Sequence, residues 1–330
     1  MTVPRKRNVP IIRPPSRPPA RPGLACLLGD SAARRHWAKY WVEEPLGGGL
    51  ELAAYYLFRV LPIGLCSRLG ASRGRYVGAT RKRVEDQARQ ALAMIAPALP
   101  PAEVDALLCR LHRNSGRALL ETLVMDRIWQ GGHVAVLPDQ RRQALKDPSQ
   151  SRIFVSVHTS NLGDLLGMCL MQLIGSRGMT VSRKQPNRFR QQLSEKLRSK
   201  HGAAVLEPGL RTTRQLLEHL RGPGGAILIH LDEARGKQIY FPTFGRPMPY
   251  GSNLSLAIRL SAATGAPLTP VYMERERGSR FRLHVCDDLQ APAPGDSGSH
   301  DMIAERLDRM FTDIVRRHLD DWQQLYFLRP

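Results

Sequence analysis

The fold class follows from the stretch Ile153-Phe-Val-Ser-Val-His158-Thr-Ser-Asn-Leu-Gly-Asp164, in which an apolar strand gives way to a helix. Its β-branched first half is typical of a strand that is covered on both faces. Apolar residues then recur at helical spacing, at Leu162, Leu165 and Leu166. His158 therefore stands where strand becomes helix, and in open α/β sheets ligands bind at that edge.

Strands and helices alternate after Gly131-Gly132, which predicts an α/β fold with a mainly parallel sheet flanked by helices. The predicted strands include 134–137, 153–157, 204–206, 226–230, 239–244, 268–273 and 281–285, and the predicted helices include 162–174, 189–200, 213–220 and 254–263. We divide the chain into a basic Pro/Arg-rich tail (1–40), a helical membrane-associating segment (41–130) and an α/β core (131–330).

Positive charge is concentrated near the amino terminus. The net charge is +20, and residues 1–83 carry sixteen Lys/Arg against four Asp/Glu. This asymmetry indicates a polyanionic partner, either nucleic acid or an anionic membrane surface. The apolar runs 52–58 and 60–66 flank Arg59 and are too short to cross a bilayer, which takes about 20 apolar residues. We expect them to form an amphipathic segment in the membrane interface, with an ordinary packed helix as the alternative.

His158 and Asp164 form a candidate general base with its orienting acid, although a packed histidine and a helix-capping Asp also fit the pattern. A second polar strand end, His230-Leu-Asp232-Glu233, is expected at the same sheet edge. His-x-Asp is a weak metal signal without further ligands, so we expect no metal. Phosphate-binding and nucleophile-elbow motifs are absent from the sequence. A His/Asp base suffices when the electrophile is already activated, as in a thioester.

Several motifs in order carry a family resemblance over about residues 41–322. They are Asn114-Ser-Gly-Arg117 with Glu121, His158 with Asn161 and Asp164, Ser182-Arg183-Lys184 with Arg198, Leu231-Asp232-Glu233, Tyr240-Phe-Pro-Thr-Phe-Gly245, 263–270, and His318 with Trp322. The series resembles the bacterial lipid A biosynthesis lauroyl/myristoyl acyltransferases of the lysophospholipid acyltransferase superfamily. Their motif is His, four residues, then Asp or Glu. Here Gly163 occupies the acid's position, and we expect a glycine bulge to return Asp164 to the imidazole.

The resemblance implies acyl transfer from acyl-ACP (acyl carrier protein) or acyl-CoA to a hydroxyl of a lipid acceptor such as a lipid A precursor. His158 would be the base and Asp164 its partner, at the cytoplasmic face of the bacterial inner membrane. The implied substrate-binding residues are Asn161, Arg183, Lys184, Arg198, Asp232, Glu233 and Glu121. No cofactor and no nucleic acid are implied.

Two alternatives stay open. One is an acyltransferase for a lysophospholipid, a glycolipid or another lipid acceptor. The other is a catalytically inactive membrane-binding relative, which a His158 without any carboxylate partner would favour. If Asp164 does not pair with His158, Asp232 or Glu233 is the next acid to consider.

Overall fold

The computed structural model describes residues 21–329, apart from 148, 176, 177, 183, 184, 186, 200–203, 237, 250 and 294. The amino-terminal part is helical. It comprises α1 (Ser31–Ala38), a π-helical turn (Lys39–Glu43), α2 (Glu44–Val60), α3 (Ile63–Thr80), α4 (Lys82–Ile95), α5 (Pro101–Glu121) and α6 (Met125–Gln130). Pro62 immediately precedes α3, and Pro101 is the first residue of α5. Proline suits a helix start because the first amides of a helix have no partner within it. Within the described residues, no helix is long and apolar enough to cross a membrane.

Helices α3 and α5 pack with their backbones in contact, through glycines on both. A Cβ added to Gly74 would lie 2.1 Å from the carbonyl oxygen of His112, and one on Gly116 would lie 2.1 Å from the carbonyl oxygen of Gly70. A larger side chain at these positions would push the helices apart.

The α/β core that follows is built on a seven-stranded sheet. Its strands are β1 (Val134–Leu137), β2 (Arg152–Ser156), β3 (Gly178–Val181), β4 (Ala204–Leu206), β5 (Ala226–His230), β8 (Leu268–Arg277) and β9 (Arg280–Val285), while β6 (Ala234–Arg235) and β7 (Gln238–Ile239) form a separate pair. The order across the large sheet is β1-β9-β8-β2-β5-β3-β4. Among these described strands, only β8 and β9 pair antiparallel within the large sheet. The predicted α/β fold with a mainly parallel sheet is therefore confirmed.

Helices cover both faces of this sheet. They are α7 (Asp139–Ala144), α8 (Gly163–Ile174), α9 (Arg188–Ser199), α10 (Leu210–Arg221), α11 (Asn253–Thr264) and α12 (Ser297–Arg317). Alternate residues of β2 belong to two different apolar clusters: Ile153 and Val155 to the cluster that includes residues of α11 and α12, and Phe154 to the cluster that includes residues of α8. All three are fully buried, which explains the uninterrupted apolar run in the sequence.

The predicted strand at 239–244 is wrong beyond Ile239. Strand β7 ends there, and the chain continues as turns and irregular structure. Pro242 and Pro247 have no amide hydrogen for a strand ladder, and Phe244 and Gly245 have φ angles of 50° and 86°, which belong to a turn.

Strands β2 and β5 place the candidate site. They are parallel neighbours, with Ser156 of β2 in register with His230 of β5. The amide of Leu231 donates to the carbonyl oxygen of Ser156 at 2.8 Å. Residues after both strands therefore emerge at the same edge of the sheet, as the sequence predicted.

Candidate active site

A tight turn carries His158 from the end of β2 to the start of α8. Ser160 and Asn161 have φ angles of 60° and 53°, in the left-handed region that non-glycine residues rarely adopt. Such conformations cost on the order of 1–3 kcal/mol each and persist where the surroundings enforce them. Here the Oδ1 of Asn161 accepts a hydrogen bond from the amide of Gln323 at 3.1 Å, which ties the turn to the carboxy-terminal segment.

Asp232 is the carboxylate partner of His158. Its Oδ1 lies 2.7 Å from Nδ1 of His158, and its Oδ2 accepts from the backbone amide of His158 at 2.8 Å. The indole Nε1 of Trp322 donates to the same Oδ2 at 2.9 Å. Asp232 and Trp322 have no exposed surface, whereas the side chain of His158 keeps 32% of its surface exposed. The carboxylate is thus held by three hydrogen-bond donors, while part of the imidazole side chain remains exposed.

This pairing sets the charge states. Burial alone would raise the pKa of Asp232, but the charge and hydrogen bonds of His158 outweigh it and lower that pKa below its usual value. Burial would lower the pKa of His158, but Asp232, and to a lesser extent Asp164, raise it above its usual value. The pair therefore combines an ionised carboxylate with an imidazole whose basicity is enhanced, which is the arrangement of a general base and its orienting acid.

A second histidine belongs to the site. The ring of His230 stacks on that of His158, with centroids 4.0 Å apart and planes 24° from parallel. Burial and the adjacent charge of His158 lower the pKa of His230 to about 3, so it is neutral at physiological pH.

The expected pairing of Asp164 with His158 is corrected by this geometry, because Asp232 occupies Nδ1. Asp164 lies in the first turn of α8 and acts on the imidazole through its charge. The expected glycine bulge is also wrong: Gly163 is the first residue of α8 and is absent from the positive-φ residues, which in this turn are Ser160 and Asn161.

Space, and not backbone freedom, accounts for the glycine at 163. A Cβ on Gly163 would lie 3.1 Å from Cδ2 of His158 and 3.2 Å from Nε2 of His230. The two imidazole rings fill the volume in which a side chain at this position would begin.

The site also contains a potential set of metal ligands. His158, His230 and Asp232 each offer a ligand atom, all within 4.8 Å of one another. The sequence suggested only two of these ligands, because the third comes from a different strand. Both carboxylate oxygens of Asp232 already accept hydrogen bonds. A metal ion would have to displace the bond to His158, so the observed arrangement fits a hydrogen-bonded dyad better than a metal centre.

The other predicted site residues divide into three groups. Asn161 and Glu233 are near the dyad: Glu233 Oε1 accepts from the amide of Asn253 at 3.1 Å, at the start of α11. Arg183 and Lys184 lie outside the described residues, and for Arg198 only the helical backbone of α9 is described. Glu121 does not line a cleft.

Glu121 is fully buried and forms a two-pronged ion pair with Arg275, at 2.9 and 2.8 Å. Arg275 also contacts Asp321 at 3.2 Å. Asp321 immediately precedes Trp322, so this cluster links α5 and β8 to the segment that holds Asp232. We assign Glu121 a structural role in place of the predicted substrate contact.

The sequence patterns included His230 and Trp322 but did not predict their contacts, which are the stacking of the His230 ring and the hydrogen bond of the Trp322 indole. Position alone marked His230, since it ends the strand that precedes Asp232. No local pattern marks the hydrogen bond of Trp322, which spans 90 positions.

Comparison with known proteins identifies the family. The family model for bacterial lipid A biosynthesis acyltransferases matches residues 41–328, and the chain belongs to this family. It is therefore an acyltransferase of lipid biosynthesis, with an acyl donor and a lipid acceptor as substrates. None of the curated proteins matches the chain. Among solved structures, the 1-acyl-sn-glycerophosphate (LPA) acyltransferase PlsC of Thermotoga maritima is similar at 12% identity, with a TM-score of 0.37, over 76% of this chain and 96% of that one.

Proposed function

We propose that the protein transfers a fatty acyl group from an acyl thioester to a hydroxyl of a membrane lipid, with His158 as general base and Asp232 as its orienting carboxylate. The 2.7 Å contact between Nδ1 of His158 and Oδ1 of Asp232 carries this proposal. A proton held on Nδ1 by Asp232 leaves the lone pair of Nε2 available. The His158 side chain is 32% exposed, and we infer that Nε2 is the atom that meets the substrate hydroxyl.

The reaction needs no enzyme nucleophile. Nε2 of His158 removes the hydroxyl proton while the oxygen attacks the thioester carbonyl carbon. A C–O bond forms, and the carbonyl electron pair moves to oxygen. Collapse of this tetrahedral oxyanion breaks the C–S bond, and the imidazolium returns its proton to the leaving thiolate. The products are an ester and a free thiol, and the oxyanion is expected near the amides that open α8.

An exposed apolar face on α2 and the π-helical turn before it supports action at a membrane. Val42, Leu46, Leu50, Leu57 and Val60 recur at helical spacing and are all exposed, Leu50 by 73% and Val60 by 78%. A helix face of this kind is suited to burial at the boundary between lipid head groups and acyl chains. It extends the segment predicted from sequence, 52–66, towards the amino terminus.

The opposite face of α2 is occupied by α9. A Cβ on Gly48 would lie 2.2 Å from Cβ of Phe189, and Glu51 forms an ion pair with Arg190. The apolar face of α2 therefore points away from α9. Exposed Arg68, Arg73 and Arg75 on α3 add positive charge nearby in sequence, which suits an anionic lipid surface.

The same charge suits an acidic acyl carrier protein as donor, with acyl-CoA as the alternative. The description of the family supports a lipid A precursor as acceptor. We propose the cytoplasmic face of the bacterial inner membrane as the place of action. A lysophospholipid, a glycolipid or another lipid hydroxyl forms the second group of acceptors. The carboxylate partner of His158 argues against a catalytically inactive relative.

Incubation of the full-length protein with anionic vesicles, candidate acceptors and acyl-ACP or acyl-CoA tests the proposal. We expect thiol release together with an acceptor whose mass increases by one acyl group, and loss of both in His158→Ala. Comparison of lipid mass profiles in cells with and without the gene identifies the acceptor. Acyl transfer that persists in the folded His158→Ala variant would refute the mechanism.

A further inference from the structure

His230 contacts the general base through the face of its ring. The two imidazoles lie 4.0 Å apart at 24°, a stacked geometry. Nδ1 of His230 is buried and makes no hydrogen bond to any described residue. Its carbonyl oxygen is held separately, by Nδ2 of Asn253 at 2.8 Å. The backbone of His230 is thus fixed by β5 and α11, and its ring supplies a surface for His158.

We propose that His230 is a positioning residue of the acyltransferase, whose ring holds the His158 imidazole in the plane that keeps Nδ1 on Asp232 and directs Nε2 towards the acceptor hydroxyl. This inference rests on the function proposed above.

The hydrogen bond to Asp232 does not by itself hold the His158 ring in one plane. The terminal torsion of a histidine has broad preferences, so a single hydrogen bond at Nδ1 leaves the ring plane poorly defined. Stacking on His230 removes that freedom on one face. The backbone at Gly163 closes the space near Cδ2 of His158, where a Cβ would lie at only 3.1 Å. The ring is therefore constrained at a nitrogen, a face and an edge.

Two substitutions separate stacking from the chemistry of the ring nitrogens. We expect His230→Ala to lower kcat by about 10- to 100-fold with KM changed by less than about twofold, since misplacement of a catalytic group by about 1 Å costs up to 10²-fold. We expect His230→Phe to recover most of this loss, because phenylalanine preserves an aromatic face. His284→Ala is the matched control: His284 stacks on Tyr272 at 4.4 Å and lies on β9, away from the dyad.

A readout that does not depend on acyl transfer comes from NMR of the imidazole protons. The hydrogen-bonded Nδ1 proton of His158 should give a downfield resonance in the wild-type protein and in His230→Phe. In His230→Ala it should broaden or exchange faster with solvent. Absence of the resonance from the wild-type spectrum would overturn the arrangement itself.

The outcomes are distinguishable. The positioning role would be refuted if His230→Ala left both kcat and the solvent exchange of the His158 Nδ1 proton unchanged. It would also be refuted if a folded His230→Phe variant restored neither kcat nor the slow exchange of that proton. If the wild-type protein shows no acyl transfer with any acceptor, the proposed function fails, while the resonance and its exchange still decide the role of His230. Thermal unfolding of each variant shows whether it is folded.

Discussion

Asp232→Asn is the most informative perturbation of the site, because it changes one atom of the carboxylate that three donors share. Oδ2 accepts from the amide of His158 and from Nε1 of Trp322, so the carbonyl oxygen of the substituted side chain is expected to take that position. Its NH₂ group then faces Nδ1 of His158, which must become an acceptor. This forces the ring proton onto Nε2, where it blocks removal of the acceptor proton.

The expected loss in kcat is about 10²–10⁴-fold, the usual contribution of a positioned general base. The pH profile should change as well. Asp232 is the main group that raises the pKa of His158, so its loss lowers that pKa. The rise in residual kcat/KM with pH, which reports the neutral base, should therefore move to lower pH than in the wild type. Asp164→Asn is the matched control. It should shift the pH profile less, because Asp164 raises the pKa of His158 less than Asp232 does.

The pH dependence of stability independently checks the direction in which the pKa of Asp232 is shifted. The pKa of Asp232 is lowered in the folded protein, so its ionised form stabilises the fold above the usual aspartate pKa, and that stabilisation is lost as pH falls through the lowered pKa. The difference in unfolding temperature between wild type and Asp232→Asn should therefore be largest at neutral pH and shrink in acid. Undiminished turnover, or a pH profile that stays in place, would refute the role of Asp232.

Three further predictions follow from the packing. The double variant Leu50→Asp, Leu57→Asp should no longer float with anionic vesicles. Its unfolding temperature should stay within a few degrees of wild type, since both side chains are exposed. Equal flotation of wild type and variant would show that α2 is not part of the membrane-binding surface. Glu121→Ala should destabilise the fold by about 3–5 kcal/mol in chemical denaturation, because it leaves Arg275 with one fewer carboxylate in a buried cluster, and a loss under about 1 kcal/mol would contradict this. Gly163→Val should reduce kcat at least tenfold with a stability cost of about 1–3 kcal/mol, because its side chain would displace the rings of His158 and His230. Full activity would show that the space beside Gly163 is dispensable.

The sequence predicted those features that local patterns determine. The apolar run at 153–157 identified a doubly covered strand, and the polar ends of two such runs identified a shared edge. This worked because parallel neighbouring strands present their carboxyl ends on the same side. The apolar segment at 52–66 was recognised by composition, although the exposed stripe begins at Val42, in a part of the chain whose glycines obscured the pattern.

Side-chain pairing across the fold was not predictable in the same way. The spacing between His158 and Asp164 resembled the family motif, and proximity in sequence favoured that pair. The hydrogen bond of Trp322 to Asp232 and the burial of Glu121 against Arg275 depend on how distant segments pack. Neither contact produces a periodic pattern in the sequence.

The choice of Asp232 over Asp164 has a simple geometric basis. Asp232 follows β5, which is hydrogen-bonded to β2 along its whole length, so its position relative to His158 is set by two backbone ladders and the bond from Leu231 to Ser156. Asp164 follows a turn with two left-handed residues and lies in the first turn of α8, outside the strand ladders of the sheet. A partner held by the sheet needs little reorganisation during proton transfer, which is what stabilisation of an imidazolium requires. The displaced acid at 164 is therefore compatible with catalysis because the sheet already supplies one at 232.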